Sequence, residues 1–341
     1  MMNFILITGV VLVVAIIVVM LRVSSLINVA KQAGDKVDKS ANSINALLFL
    51  LFLIFSGGVT IWYSIAYFDV YDLPLASEHG AVTDNLFWVT MAVTGIIFII
   101  THILLFGFSF FYRYKESNTA DYFCDNDKLE IIWTVIPAIV LTLLVISGLK
   151  AWNDITGKAP ADAEVVEIMG YQFAWGTRYP GKDGKLGRYN YRLIDADNAF
   201  GIDFSDVNAL DDFIPREIHI PKGKPVLLKI RARDVLHSVF MPHFRLKMDA
   251  VPGMPTHFWF VATKTTEEMR LETGNPDFNY ELACAEICGR GHFAMRMLVI
   301  VEEPAAYEKW KSEQESWLSK NPDYLSKIPE EMKELVTSTV N

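Results

Sequence analysis

The chain's 341 residues leave room for two domains, and its net charge of −9 with a pI near 5.3 argues against nucleic acid as a partner and suits a cationic protein. An apolar fraction of 52% with a mean hydropathy of +0.25 is high for a soluble chain, and the excess sits in the first 150 residues. Three cysteines, one of them (Cys124) alone on a polar stretch, give no disulfide framework.

Four stretches reach the roughly 20 mostly apolar residues that a bilayer requires: 4–21, 46–68, 86–112 and 131–149. The first lacks a basic leader and a small-x-small cleavage site, so it reads as a retained anchor rather than a signal peptide. Arg22, Lys31, Lys36 and Lys39 lie between the first and second stretches, and Arg113, Lys115 and Lys128 between the third and fourth. The intervening loop has Asp69, Asp72, Glu78 and Asp84 but no Lys or Arg. The positive-inside rule then places the two basic loops in the cytoplasm, and the N-terminus and everything after Leu149 outside. Gly57-Gly58 would allow a close helix contact. His102, a polar group inside the third stretch, should face protein rather than lipid. Glu130 precedes the fourth stretch, where a carboxylate suits a helix N-terminus.

Beyond Trp152 the apolar runs become short and β-rich, at 164–175, 225–231, 256–262, 268–272 and 296–302, with Pro, Gly, Lys or Asp turns between them. That spacing predicts a β-sandwich or barrel. Residues 179–216 read as a polar, Gly/Asp-rich ordered insertion. Its Asp195, Asp197, Asp203, Asp206, Asp211 and Asp212 could steer a cationic partner. His219 and His257 read as ordinary strand histidines.

The chemistry concentrates in Cys284-Ala-Glu286-Ile-Cys288-Gly-Arg-Gly-His292-Phe-Ala-Met295, with Asp234-Val-Leu-His237-Ser238 upstream. Thiolates, imidazole and thioether together select copper, or zinc if the site closes as a tetrahedron; the Met favours copper. Cysteines four apart on one loop can face a common point, and His292 can reach it after the turns at Gly289 and Gly291. A loop disulfide and a Cys₂His₂ zinc site are the competing readings, and His243 rivals His237 as the second imidazole. After Pro304 the chain is charged and helical in period, with a last short helix after Pro329, reading as a surface helix or docking arm. No C-x-x-C-H occurs, so no c-type haem is attached.

The run C-x-E-x-C-G-x-x-H-x-x-M, with D-V-x-H-S before it and Glu130-Ile-Ile-Trp133-Thr-Val-Ile-Pro137 at the fourth apolar stretch, resembles subunit II of cytochrome c oxidase. The resemblance covers about 164–303 and the preceding helix. It implies a membrane protein with a four-helix transmembrane region, an all-β cupredoxin-like Greek-key barrel and a helical C-terminal tail. The divisions would be 1–45 for the first helix and cytoplasmic loop, 46–150 for three further helices, 151–303 for the copper domain and 304–341 for the tail. The family usually has two spans, so the first two would be an addition that packs on a neighbouring subunit or lipid.

The resemblance further implies a dinuclear copper A centre. Cys284 and Cys288 would bridge two coppers, His237 and His292 would each bind one, and Met295 and the carbonyl of Glu286 would complete the set. The Glu286 side chain would hold magnesium shared with subunit I, and Glu130 would open a proton path into that subunit. The family's G-H-Q-W-Y-W strand appears as Gly170-Tyr171-Gln172-Phe173-Ala174-Trp175, so Phe173 stands where an electron-accepting Trp is usual, with Tyr171 and Trp175 as substitutes. The implied function is acceptance of electrons from a c-type cytochrome and their passage to the haems of subunit I for oxygen reduction coupled to proton pumping. The implied setting is a bacterial inner membrane, with the copper domain periplasmic, among other oxidase subunits and with a quinol-oxidising complex as a further partner. A copper-A nitric oxide reductase subunit and a membrane-anchored copper carrier are the rival readings. Quinol oxidases lack the copper ligands, and nitrous oxide reductase is water-soluble.

Overall fold

The computed structural model describes residues 2–31 and 39–339. Its helical part begins with α1 (Met2–Lys31) and α2 (Lys39–Ala66), then the single turn α3 (Phe68–Tyr71), α4 (Glu78–Phe111) and α5 (Asp127–Thr156). Among the described residues α2, α4 and α5 are long and apolar enough to cross a membrane, and α1 carries a shorter apolar run, Val11–Ile27. Lys36, counted above toward the first basic loop, lies outside the described residues. Asn126 caps α5 by accepting from the Leu129 amide, and Pro137 is carried inside that helix.

Two compact units divide the chain. One holds residues 1–66 and 96–124. Within it Phe49 and Phe52 pack on Phe106, at ring separations of 6.0 and 5.4 Å. His102 is satisfied locally: its Nδ1 lies 2.8 Å from the Phe98 carbonyl one turn back, and its ring packs on Phe98 and Phe106.

The other unit holds residues 67–95 and everything from 125 onward. Its strands are β1 (Glu164–Tyr171), β2 (Ala174–Arg178), β3 (Ile218–Pro221), β4 (Pro225–Ala232), β5 (His237–Met241), β6 (Leu246–Ala250), β7 (Thr256–Val261), β8 (Tyr280–Cys284) and β9 (Arg296–Glu302). They form two sheets in the orders β2-β1-β4-β7 and β3-β9-β8-β5-β6, with β1–β4 and β3–β9 parallel and the other pairs antiparallel. Alternating inward residues of both sheets (Ile168, Leu228 and Phe260 from one; Val239, Leu246, Leu282 and Val299 from the other) make one core, the packing of a β-sandwich.

The stretch 268–272 is not a strand. It lies in α6 (Thr266–Thr273), because Thr265 and Glu268 form a reciprocal capping box and Gly274 closes the helix in the left-handed conformation. The loop before α4 is bound into the same unit as the sandwich. The Ala76 amide donates to the His243 carbonyl and Thr263 to that of Ala76, both at 2.9 Å. Arg245 meets the Asp84 carboxylate with two bonds, of 2.7 and 3.0 Å. This loop and the β domain therefore lie on one side of any membrane that α4 and α5 cross.

The insertion is ordered and has its own core, in which Phe200, Ile202, Phe204 and Leu210 meet Trp317 and Leu318 of the tail. The tail comprises α7 (Pro304–Ser312), α8 (Trp317–Lys320) and α9 (Glu330–Thr339). It is not a free docking arm, since its aromatic positions are consumed by packing: Trp317 stacks on Phe204 with centroids 5.4 Å apart, and Tyr307 is fully buried. An ionic cluster joins insertion to sheet. Arg178 pairs with Glu167 and with Asp212 (2.9 Å), and Arg231 pairs with Glu167 (2.6 Å). Burial acts to raise Glu167, but the two guanidiniums outweigh it and hold the carboxyl below its ordinary range. For Asp212 burial wins over Arg178, a charge already shared with Glu167, and pushes the carboxyl up to about 8.

The six aspartates expected to steer a cationic partner are partly buried and partly shared between two cations. Asp211 and Asp212 are buried, Asp195 and Asp197 pair with Lys327, and Asp203 and Asp206 lie near Arg188. Charge alternation on a loop conceals such local pairing from a reading of the sequence.

Candidate metal centre

Three segments converge at one end of the sandwich. β5 begins with His237, β8 ends with Cys284, and the loop 285–295 returns to β9. Val239 of β5 lies opposite Cys284 of β8, and the Ala285 amide donates to the Ser238 carbonyl, so the two strands fix where the loop starts. The Cys284 amide donates to the Met295 carbonyl at 3.2 Å, closing the loop on itself. A loop clamped at both ends on a rigid sheet holds its side chains in place without metal.

The donors face one another. Cys284 Sγ lies 4.0 Å from His237 Nδ1 and 4.0 Å from Cys288 Sγ. Cys288 Sγ lies 3.8 Å from His292 Nδ1 and 3.3 Å from Met295 Sδ. The Glu286 carbonyl accepts from Cys284 Sγ at 3.1 Å. With metal–ligand bonds of roughly 2.0–2.3 Å, ligands of one ion sit roughly 3–4 Å apart, so these separations fit direct coordination. All six expected positions are thus brought together, Glu286 through its backbone while its side chain is exposed. At 4.0 Å the two sulfurs are not a disulfide. His243 is elsewhere, with Nδ1 on the Pro74 carbonyl and its ring against Phe278 and Tyr280, which removes the rival imidazole. His219 stacks on Trp310 and bonds Glu302, and His257 bonds the Thr156 carbonyl.

The chemistry of the set is soft: two sulfurs from Cys, one from Met and two imidazoles suit copper. His237 and Met295 are fully or almost fully buried, and burial together with the neighbouring Cys284 pushes the Cys288 thiol up to about 11. A metal must therefore displace protons on binding.

Two residues given no role at the level of sequence position the donors. Asp234 accepts from His237 Nε2 at 2.9 Å and from the Gln172 amide at 2.7 Å. A proton held on Nε2 leaves the Nδ1 lone pair facing the sulfurs. Burial acts to raise Asp234, and the bonds from Gln172, His237 and Val235 hold it below its ordinary range. Gln172 donates its side-chain amide to the Cys288 carbonyl at 2.6 Å. Both stand in motifs that the sequence offered, Asp234 in D-V-x-H-S and Gln172 in the G-H-Q-W-Y-W strand, but neither was given a role there.

The β1–β2 turn covers the loop. A Cβ on Gly291 would lie 2.5 Å from Phe173 Cγ, and Gly289 has φ +135°, so the absence of side chains lets the Phe173 ring lie on the loop backbone. Phe173 is 39% exposed, whereas Trp175 is 4% exposed and meets the His237 ring edge-on at 5.8 Å. Glu130 is exposed in the first turn of α5, remote in sequence from these segments.

Two family profiles match the chain: cytochrome c oxidase subunit II, transmembrane domain, over residues 61–151, and cytochrome c oxidase subunit II, periplasmic domain, over 164–303. The alternative cytochrome c oxidase subunit 2 of Bradyrhizobium diazoefficiens is 36% identical over 243 residues, covering 71% of this chain and 83% of its own length. Cytochrome c oxidase subunit 2 of Thermostichus vulcanus is 28% identical over 296 residues, covering 70% and 77%. A solved periplasmic domain of subunit II of cytochrome oxidase from Bradyrhizobium japonicum aligns with 46% of this chain and 95% of its own, at 22% identity and a TM-score of 0.31.

Proposed function

The chain belongs to the cytochrome c oxidase subunit II family, and on that footing we propose that it receives electrons from a c-type cytochrome at a dinuclear copper A centre and hands them to the haems of subunit I. The convergence of His237, Cys284, Cys288, His292, Met295 and the Glu286 carbonyl at one end of the sandwich is the observation that carries this reading. Copper held by Cys284, Cys288, His237, His292 and Met295 would supply a one-electron store at this end of the sandwich.

The chain's own residues do the rest. Cys284 and Cys288 are the thiolate donors, and His237 and His292 the imidazoles. Asp234 fixes the tautomer of His237, and the buried Met295 keeps water from one side of the site. Phe173, seated over Gly289 and Gly291 and 39% exposed, is the place where the electron arrives. Tyr171 and Trp175 lie on the same turn, Trp175 behind His237. The Glu286 carboxylate, turned outward, would share a magnesium ion with subunit I, and Glu130 would open the proton path of a pumping oxidase. The loop between α2 and α4, bound to the β domain, supports an outward β domain in a bacterial inner membrane with α1 as a fourth span. The two added helices would pack on further oxidase subunits or a quinol-oxidising complex.

The test is Cys288→Ser in the assembled oxidase. A reduced c-type cytochrome should no longer reduce the haems of subunit I, while a small membrane-permeant reductant still does. Unimpaired haem reduction by the cytochrome would refute the reading.

A further inference from the structure

We propose that residues 286–294 form a flap over the metal centre, latched shut by the Gln172 side chain, and that copper is admitted when this latch opens. The inference rests on the copper reading above and adds how the buried donors are reached.

The donors divide into a fixed half and a moving half. His237 opens β5, and Cys284 ends β8 with its amide on the Met295 carbonyl at 3.2 Å, so these three are tied to the sheet. The Ala285 amide, on the Ser238 carbonyl at 3.0 Å, pins the start of the loop. Cys288, His292 and the Glu286 carbonyl lie between these clamps. With the loop closed, His237, Cys288 and Met295 are buried, whereas Cys284 and His292 are half-buried. An ion can be caught at the edge of the site, but the full donor set is reached only if residues 286–294 swing away.

Little holds that segment down. Among the described residues its hydrogen bonds stay within the loop and its own ends, with one exception. The exception is the Gln172 side-chain amide, which donates to the Cys288 carbonyl at 2.6 Å. Cys288 is also the one buried residue of the segment, so the bond acts where the flap meets the core. Ile287 and Phe293 are 84% and 85% exposed and do not anchor the tip. Gln172 is itself exposed, and water competes for its bond. Few buried contacts and a solvent-accessible bond are the marks of a segment that opens at low cost.

The latch sits beside a pivot. Gly289 follows the latched carbonyl directly and has φ +135°, a conformation that glycine alone adopts freely. A Cβ at Gly289 would lie 3.0 Å from Gln172 Nε2 and 2.9 Å from Phe173 Cε1, so these two side chains cover the pivot. The backbone amide of Gln172 is held on Asp234 at 2.7 Å, which gives its side chain a fixed post. Breaking the side-chain bond frees the Cys288–Gly289 peptide to rotate, and that rotation carries the Cys288 thiol away from Cys284 and His237.

The test times copper transfer in both directions on the full-length chain. Metal-free chain is mixed with copper(I) carried by a coloured chelator, and loaded chain with the free chelator, each in enough excess that the rate no longer depends on the chelator. Gln172→Leu, which keeps the bulk and removes the donor, should speed uptake and release alike. The net worth of one neutral hydrogen bond sets the gain at roughly two- to tenfold. Gln172→Ala should act the same way and serves if the Leu variant fails to fold, as thermal unfolding reports. A residue that merely positioned Cys288 would, when lost, speed release and leave uptake unchanged or slower. That result, or wild-type rates in the folded variants, would overturn the proposal while leaving the copper reading intact. A wild-type chain that takes up no copper would overturn the copper reading, and this proposal with it.

Discussion

Replacing Asp234 by Ala should loosen the metal centre without touching a donor atom. Its carboxylate takes two bonds, from His237 Nε2 at 2.9 Å and from the Gln172 amide at 2.7 Å. A hydrogen bond to a charged group is worth roughly 1.5–3 kcal/mol. The first bond acts on the ligand directly, and the second ties the turn bearing Phe173 to the same side chain. Loss of the outer partner of a metal-bound His typically costs about 10–100-fold in metal affinity, which is roughly 1.4–2.7 kcal/mol. Ala should fall within that range. Asn, which keeps one acceptor for His237 but presents either its amide or a lost bond to Gln172, should lose about tenfold or less. The assay is competition for copper against a calibrated chelator on the full chain, with thermal unfolding of the same samples. Wild-type copper affinity in the Ala variant would refute the idea that Asp234 presets the His237 tautomer.

Gly291→Ala should cost about 1–3 kcal/mol through overpacking, since the new Cβ would lie 2.5 Å from Phe173 Cγ. Phe173→Ala in the same chain should return part of that loss, and thermal unfolding of the double variant measures the coupling. Trp317→Ala should cost about 3–5 kcal/mol, because the side chain is 8% exposed and stacked on Phe204; limited proteolysis should then cut the insertion and the tail together. Asp212, with its folded-state carboxyl raised to about 8, holds a proton that the unfolded chain releases near the ordinary carboxylate range. Its contribution is complete below pH about 4 and is lost as pH rises toward 8. The melting temperature should therefore fall between pH 5 and 8, and Asp212→Asn should flatten that slope.

The centre was legible because one loop carries most of the donors: Cys284, Cys288, His292 and Met295 fall within twelve residues. His237 is forty-seven residues away, and only the resemblance of its D-V-x-H-S motif separated it from His243. The apolar helices announced themselves by length, and the β-rich character of the outer domain by short punctuated runs. Residues 268–272 were misread because Glu268-Met-Arg-Leu-Glu272 has too few residues to separate the two periods. The T-x-x-E capping box at Thr265 was the signal that could have decided it. Long-range pairing was not legible. Nothing local marks Glu167, Arg178, Arg231 and Asp212 as one buried cluster, or predicts that Asp84 would meet Arg245 161 residues later. The same blindness hid that two of the insertion's aspartates are buried and that Lys327 and Arg188 each lie beside two of the others.

Electron paramagnetic resonance of the copper-loaded full chain, with metal analysis of the same sample, tests the central claim most directly. The account predicts copper hyperfine structure from one unpaired electron shared equally by two ions, lost in Cys288→Ser. A spectrum from a single isolated copper, or tightly held zinc with no signal, would contradict it and favour a copper carrier or a structural zinc site.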